Sequence, residues 1–232
     1  MLTRRQSRAF AWDVVNEAIS DAPIKRELFK PNVWHPTLHN YVDIAFQQAA
    51  TFRYSSDVKL FYNDCLVERS AGPFDYKSDK MFNMIHDAIQ RGAPVDGVGL
   101  QLHIDIRFTN VAGVKRSLQR HDDLGVEAHI AELDVGCAMN GLDKDCVEWG
   151  EDQLMRQAEA YAAALQSCLE VKACTVFEAW GFTDLYSWRG IDQRPLPFDE
   201  HHLAKPAYQA LVDTLQGNTS WVDAYYSRSR RL

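Results

Sequence analysis

The sequence predicts an α/β fold built around a parallel sheet, and three observations lead to that prediction. Short runs rich in Val, Ile, Leu and aromatic residues alternate with longer runs of helical periodicity, which is the order of repeated strand–helix units. The strand-like runs do not alternate strictly between apolar and polar residues, as expected of strands covered on both faces. The length of 232 residues fits one domain, because α/β barrels run from roughly 200 to 250 residues or more.

Five strands are predicted, and helical runs lie between them. In chain order the strands are Phe10–Val15, Val58–Tyr62, Val95–Leu102, Ala128–Leu133 and Cys174–Phe182. No linker or low-complexity segment divides the units, so we expect residues 1–232 to form a single domain.

The helical runs carry apolar residues at intervals that place them on one face of a helix. The stripes are Leu38, Ala45, Ala49 and Phe52; Phe82, Ile85 and Ile89; a short one of Val111, Val114 and Leu118; Leu154, Ala158, Tyr161, Leu165 and Leu169; and Ala207, Leu211 and Leu215. Gly92 and Pro94 end the second helix, Pro206 begins the last and Gly217 ends it. Residues 217–232 are expected to form a tail, with Ser227–Leu232 solvated and frayed.

The composition excludes several classes of protein and partner. There are 25 Lys+Arg against 32 Asp+Glu, a net charge of −7, and 46% apolar residues, which argues against collagenous, coiled-coil and disordered chains. No apolar run approaches the roughly 20 residues that span a bilayer, and the first residues lack the apolar core of a signal peptide. The acidic balance offers no basic stripe for nucleic acid, and a neutral ligand such as a sugar stays open.

Polar or aromatic residues follow every predicted strand. The five sets are Asn16-Glu17, Asn63-Asp64, Gln101-Leu-His103, Glu132-Leu-Asp134 and Trp180-Gly-Phe-Thr-Asp184. Because the C-terminal ends of parallel strands meet at one edge of a sheet, we expect these side chains to line one pocket.

Two glutamates, Glu17 and Glu132, stand at such strand ends. Two carboxylates that face each other across a pocket are the minimum equipment for glycoside hydrolysis, in which one donates a proton and the other attacks or activates water. A structural ion pair is the simpler interpretation for either glutamate alone, whereas the pair favours catalysis. Asn16, beside Glu17, suits a hydrogen bond to a sugar hydroxyl that strengthens in the transition state.

Further side chains at the strand ends fit the same interpretation. His103 is placed to hydrogen-bond a carboxylate and keep it ionised, with Asp134 orienting the imidazole in turn. Trp180 and Trp188 offer flat apolar faces of the kind on which sugars stack, and core packing is the alternative for each indole.

Taken together, these segments resemble glycoside hydrolase family 10, the retaining endo-β-1,4-xylanases. The matching segments are Trp12-Asp-Val-Val-Asn-Glu-Ala18, Lys59-Leu-Phe-Tyr-Asn-Asp64, Val95-Asp-Gly-Val-Gly-Leu-Gln-Leu-His103, Ile130-Ala-Glu-Leu-Asp134, Trp180-Gly-Phe-Thr-Asp-Leu-Tyr-Ser-Trp188, Pro195-Leu-Pro-Phe-Asp199 and Lys205-Pro-Ala-Tyr208. They extend from about residue 9 to about residue 216, and five strand motifs in the family's order are highly specific.

The resemblance implies hydrolysis of internal β-1,4-xylosidic bonds of xylan by double displacement with retention, with no cofactor and no metal. It implies that Glu17 is the acid/base and that Glu132 is the nucleophile. His103 and Asp134 would orient the nucleophile. The substrate-binding residues that it implies are Asn16, Asn63, Gln101, His103, Trp180 and Trp188.

Two positions depart from the family pattern. Cys65 stands where the family usually has an aromatic residue that stacks on the leaving-group sugar, and Glu178 stands where Thr is more usual. Strand alternation puts Glu178 on the inward face with Trp180. A carboxylate inside a barrel needs partners or a proton.

The cysteines bear on the location of the protein. Cys168 and Cys174 match the spacing of a disulfide in many fungal-type members of the family, and Cys137 and Cys146 are candidates for a second bridge, which leaves Cys65 unpaired. Five reduced thiols in a cytosolic protein are the alternative. The extracellular substrate of the family favours a secreted protein, which we expect to be a monomer that binds no nucleic acid and no membrane.

The family's fold is a (β/α)8 TIM barrel, with the acid/base on its fourth strand and the nucleophile on its seventh. Only about ten residues precede the strand that ends at Glu17. The resemblance therefore implies an incomplete barrel, truncated at its N-terminus, with about five units that correspond to strands 4–8. Such a sheet cannot close as eight strands do, and both of its edges expose backbone groups.

Three interpretations of function remain open. The favoured one is the catalytic part of a xylanase. The others are a β-1,4-glucanase of the same barrel superfamily, which shares the two-glutamate plan, and a non-catalytic sugar-binding remnant.

We predict that the 232-residue chain alone has little or no xylanase activity, whereas a version extended upstream is active. The reason is that the first three units of the family barrel supply much of its sugar-binding wall. The measurement is the release of sugar from xylan and from carboxymethylcellulose, which also separates a xylanase from a glucanase. Full xylan hydrolysis by the purified 232-residue chain would contradict this prediction.

Overall fold

The computed structural model describes residues 9–21, 28–53, 57–68, 75–107, 110–138 and 149–230. Strands and helices alternate along these ranges. They are β1 (Ala11–Asn16), α1 (Tyr41–Phe52), β2 (Lys59–Asp64), α2 (Asp75–Gln90), β3 (Gly97–Leu100), β4 (His103–Asp105), α3 (Val111–Asp123), β5 (Glu127–Gly136), α4 (Glu151–Leu169), β6 (Cys174–Ala179), α5 (Pro206–Leu215) and α6 (Ser220–Ser229). Two short 3₁₀ turns, Asp184–Tyr186 and Ile191–Gln193, lie between β6 and α5.

The strands form one parallel sheet. Its order is β1–β2–β3–β5, with β6 on the far side of β5, and β4 pairs with β5 beyond the end of β3. β3 and β4 share one strand position, interrupted at Gln101 and Leu102, where Leu102 has a left-handed φ of 62°. The described residues therefore form five strand positions, and their sheet is open, with β1 and β6 outermost. This confirms the predicted α/β fold and agrees with an incomplete barrel.

The core lies between the sheet and the helices that cover one of its faces. Its members include Leu60, Tyr62, Val98, Leu100 and Ile130 from the strands and Phe46, Ile85, Val114 and Tyr161 from the helices. β3 is buried at all of its positions, whereas β1 and β6 carry exposed residues along their length. The expectation that every strand is covered on both faces is therefore wrong for the two outer strands, because the described sheet does not continue past them.

The helices agree with the predicted order and differ in their bounds. α1 begins at Tyr41, so Leu38 precedes it, and α3 has 13 residues rather than being short. Gly92 follows α2 with a positive φ of 83°, as expected of a helix stop. None of the described helices is long and apolar enough to cross a membrane.

The expectation of a tail is wrong for residues 220–229, which form α6. Val222 and Tyr225 are buried, and the Arg228 guanidinium donates to both carboxylate oxygens of Glu159 on α4, at 2.9 and 3.0 Å. This packing was not predicted because the end of the chain is basic and rich in serine. Its apolar residues have a helical spacing, but they are few.

We predict that Tyr225→Phe destabilises the fold by about 1–3 kcal/mol. Val111 is the first residue of α3, so its N–H has no partner within the helix, and it donates to the Tyr225 hydroxyl at 3.3 Å in a buried bond. Urea unfolding measures the loss. The half-buried neighbour Tyr226 provides the matched control, since Tyr226→Phe removes a hydroxyl that is not the partner of Val111. Equal midpoints for the two variants would contradict the prediction.

Candidate active site

The polar residues predicted at the strand ends gather at one edge of the sheet. Asn16 ends β1, Asn63 lies near the end of β2, and Gln101 follows β3 directly. Glu132 and Asp134 lie in the C-terminal half of β5. Parallel pairing brings them together because neighbouring strands end at the same edge; Asn16, for example, lies opposite Asn63.

The two glutamates are joined by a chain of amide hydrogen bonds. Gln101 Nε2 donates to Glu17 Oε1 at 3.0 Å and to Asn16 Oδ1 at 3.1 Å. Asn63 Nδ2 donates to the same Asn16 oxygen at 3.2 Å and to Glu132 Oε1 at 2.6 Å. The pocket that the sequence predicted from strand ends therefore contains both carboxylates.

Glu17 lies on a tight turn immediately after β1. Its φ is 52°, in the left-handed region, and its N–H donates to the Asn63 carbonyl at 2.9 Å. The Glu17 side chain is 42% exposed against 12% for Glu132. Lys30 Nζ lies 3.5 Å from Glu17 Oε2 and 2.9 Å from Asp21 Oδ2. One glutamate is thus open to water, and the other is enclosed by donors.

Gly99, on β3, makes room for the Asn63 side chain. A Cβ at position 99 would lie 2.2 Å from Asn63 Oδ1, which is far inside van der Waals contact. Asn63 is almost completely buried, so it has little freedom to move aside. The sequence analysis missed Gly99 as a residue of the site, although it lies within the matched Val95–His103 segment.

His103 lies between two carboxylates. Its Nε2 is 3.3 Å from Glu132 Oε2, and its Nδ1 is 2.9 Å from Asp134 Oδ2. Burial opposes the charged ring, but the hydrogen bonds and negative charges of Asp134 and Glu132 outweigh it and raise the pKa of His103 to about 9. At neutral pH the ring is therefore a cation that donates to both carboxylates.

Asp134 is completely buried, and three side chains donate to it. His103 Nδ1 and Trp188 Nε1 share Oδ2, the latter at 2.8 Å, while Arg189 Nη1 donates to Oδ1 at 2.7 Å. Buried charges persist when they are paired and hydrogen-bonded in this way. The sequence analysis missed Arg189, and the one signal for it was its place directly after Trp188.

Trp180 and Trp188 both present open faces. Trp180 is 50% exposed and Trp188 is 62% exposed, so core packing does not account for either indole. The backbone N–H of Trp180 donates to the backbone carbonyl of Leu133, next to Glu132. Both rings are therefore open to a ligand at the edge of the sheet that carries the carboxylates.

Glu178 is not enclosed, in contrast to the expectation of a carboxylate inside a barrel. Its side chain is exposed, because β6 is an outer strand of the described sheet. Partial burial and the negative charges of Glu132 and Glu178 raise the pKa of Asp13 on β1 to about 6. The inward face of the open sheet is thus acidic along the strands that lead to the candidate site.

A buried lysine fills the space beside Cys65. Among the described residues, one group of three potential metal ligands is found, namely Asp21, Asp64 and Cys65. Lys77 Nζ contacts all three, at 2.5, 2.6 and 3.5 Å, so an ammonium group already lies between them. Burial raises the pKa of the Cys65 thiol to about 11. Sequence reasoning missed Lys77, since no local pattern marks it.

A model of the family described as "Glycosyl hydrolase family 10" matches residues 1–214. The chain belongs to glycosyl hydrolase family 10. It is 35% identical to endo-1,4-beta-xylanase B of Thermotoga neapolitana over 217 residues, which cover 91% of this chain and 58% of that protein. The fold is similar to that of xylanase 10B from Thermotoga petrophila RKU-1, solved in complex with xylobiose, with a TM-score of 0.80, 33% identity, and 93% of this chain and 62% of that chain covered. The chain thus spans about three-fifths of the length of these two relatives.

The cysteines of this family 10 chain follow the expectation in part. Cys168 and Cys174 form a disulfide, with an S–S distance of 2.06 Å, which confirms that pairing. Cys65 is free, as expected. Cys146, the expected partner of Cys137, lies outside the described residues, so the second bridge stays a prediction.

We predict that His103 stabilises this family 10 fold more at low pH than at high pH. The pKa is raised from its ordinary value of 6.5 to about 9 in the folded state, so the folded state holds the proton more tightly. The stabilisation is fully present below about pH 6.5 and is lost as the pH rises through about 9.

Urea unfolding of the wild type and of His103→Gln at about pH 6 and at about pH 10 measures this effect. The difference in unfolding free energy is expected to shrink at the higher pH. His86→Gln, at an exposed histidine, is the control and should show no such trend. A difference that is equal at both pH values would contradict the assignment.

Proposed function

We propose that this chain carries the catalytic glutamates of a retaining endo-1,4-β-xylanase. The observation that carries the proposal is the linked pair of carboxylates, in which Gln101, Asn16 and Asn63 connect Glu17 to Glu132 by hydrogen bonds of 2.6–3.2 Å. Membership of glycosyl hydrolase family 10 supports it. The similarity to enzymes named endo-1,4-beta-xylanase supports the choice of substrate.

Glu132 fits the role of nucleophile. Asn63 donates to one of its oxygens, and the cationic ring of His103 lies against the other. Two donors therefore fix the orientation of the carboxylate, as a nucleophile requires. In the first step a Glu132 oxygen bonds to the anomeric carbon while the glycosidic carbon–oxygen bond breaks, which leaves a covalent glycosyl ester.

Glu17 fits the role of acid/base. In the first step its proton passes to the departing glycosidic oxygen. In the second it takes a proton from the water that attacks the anomeric carbon, while the bond from that carbon to Glu132 breaks and frees the Glu132 carboxylate. Its greater exposure suits this role, because the carboxyl group must exchange protons with water once in each cycle. The hydrogen bond from Gln101 holds one oxygen, and the other lies 3.5 Å from the Lys30 ammonium group.

The substrate class follows from the groups around the carboxylates. The amides of Asn16, Asn63 and Gln101 suit sugar hydroxyls, and the exposed faces of Trp180 and Trp188 suit the apolar face of a pyranose ring. A solved relative holds xylobiose. We therefore propose xylan and xylo-oligosaccharides as the substrates.

An extracellular location is part of the same proposal. The Cys168–Cys174 disulfide supports it, because disulfides persist in oxidising compartments and are rare in the cytosol. Xylan, a polymer outside the cell that degrades it, would be met there.

The test of the two roles uses 2,4-dinitrophenyl 2-deoxy-2-fluoro-β-xylobioside on a version extended upstream. We expect this reagent to form a stable ester with Glu132, detected by mass spectrometry of the peptide that contains it, and Glu132→Gln to abolish labelling. Glu17→Ala should still be labelled, because dinitrophenolate leaves without a proton, whereas its rate on xylan should fall by about 10²–10⁴-fold. A wild-type rate on xylan for Glu17→Ala, or a label on another residue, would refute the assignments.

A further inference from the structure

Arg189 is buried behind the nucleophile and has no role in the mechanism described above. Its side chain is 4% exposed, and its Nη1 donates to Asp134 Oδ1 at 2.7 Å. The same nitrogen donates to the Ile104 carbonyl at 2.7 Å, and Nη2 donates to the Ala138 carbonyl at 2.9 Å. The guanidinium is therefore fixed on both β4 and the end of β5.

Gly136 allows this close approach. A Cβ at position 136 would lie 2.7 Å from the Arg189 Cζ atom. The last residue of β5 is thus small where the guanidinium lies against it. The position of Arg189 depends on this glycine as well as on its hydrogen bonds.

Four charged groups form a continuous line from Arg189 to the nucleophile. Arg189 contacts Asp134, Asp134 contacts His103, and His103 contacts Glu132, at 2.7, 2.9 and 3.3 Å. With the ring protonated, the charges alternate and sum to zero. Without Arg189 they would sum to −1, and a buried excess charge of that sign favours the uptake of a proton.

Trp188 is tied to the same carboxylate. Its Nε1 donates to Asp134 Oδ2, the oxygen that also accepts from His103, and the two rings meet edge to face at 5.1 Å. A carboxylate that moved would disturb the indole face as well as the nucleophile. Fixing Asp134 therefore serves two parts of the pocket at once.

We propose that Arg189 is a positioning residue for the nucleophile, which neutralises and fixes Asp134 so that the His103 ring remains available to hold Glu132 as a carboxylate. This inference rests on the proposed function in one respect, the role of Glu132. The charged groups that face His103 are Glu132 and Asp134 on β5, and Arg189 lies directly behind Asp134.

The experiment measures the pKa of His103 by NMR in the 232-residue chain with labelled histidine, and the signal is assigned with His103→Gln. Arg189→Gln removes the positive charge but keeps a hydrogen-bond donor, and we expect it to raise the pKa of His103 by about one pH unit. Arg189→Lys restores the charge and should return the value to that of the wild type.

The matched control is Arg228→Gln. Arg228 also pairs with a buried carboxylate, that of Glu159, in contacts of 2.9 and 3.0 Å between α6 and α4. Its removal should destabilise the fold and leave the titration of His103 unchanged. A general loss of stability is thereby separated from a change in the charge next to the histidine.

Gly136→Ala provides a second route, since its methyl group displaces the guanidinium without removing it, and it should also raise the pKa of His103. If Arg189→Gln does not fold, Gly136→Ala tests the role of Arg189 in its place. An unchanged or lowered pKa of His103 in Arg189→Gln and Gly136→Ala, or equal values for Arg189→Gln and Arg189→Lys, would overturn the proposal. No substrate is needed, so failure here is distinct from failure of the labelling experiment at Glu132.

Discussion

The buried carboxylate of Asp134 is the constraint on which the pocket depends. A charge with no exposure to water must be paired and hydrogen-bonded, and Asp134 meets that requirement by drawing His103, Trp188 and Arg189 to itself. These groups come from different parts of the chain. Their arrangement therefore exists only when the strands β4 and β5 and the segment after β6 are all in place.

The parallel sheet brings residues that are distant in the sequence together in one site. Polar residues separated by 47 and 69 positions become neighbours because the parallel strands that carry them end at the same edge, as Asn16, Asn63 and Glu132 show. That is why the strand order and most of the pocket could be predicted from the sequence. The apolar runs predict the strands, and the residues just beyond them lie at one edge because the parallel strands end there.

Other features could not be predicted because they arise from contacts between distant segments. Gly99 contributes because it leaves room for the Asn63 side chain. Lys77 contributes because it pairs with the carboxylates of Asp21 and Asp64. Neither has a local sequence signal. The exposure of Glu178 likewise follows from the open edge of the sheet and not from the alternation along β6.

At Glu17 the proposed catalytic role and the stability of the fold favour different residues, because the backbone there is left-handed. A non-glycine residue in that conformation costs about 1–2 kcal/mol, so glycine at this position would relieve strain while removing the proposed acid/base. Glu132 is different, because its loss would leave buried donors without an acceptor. In a lineage released from selection on the proposed hydrolysis, position 17 is thus expected to change before position 132, and that order would show that the proposed activity was lost before the fold.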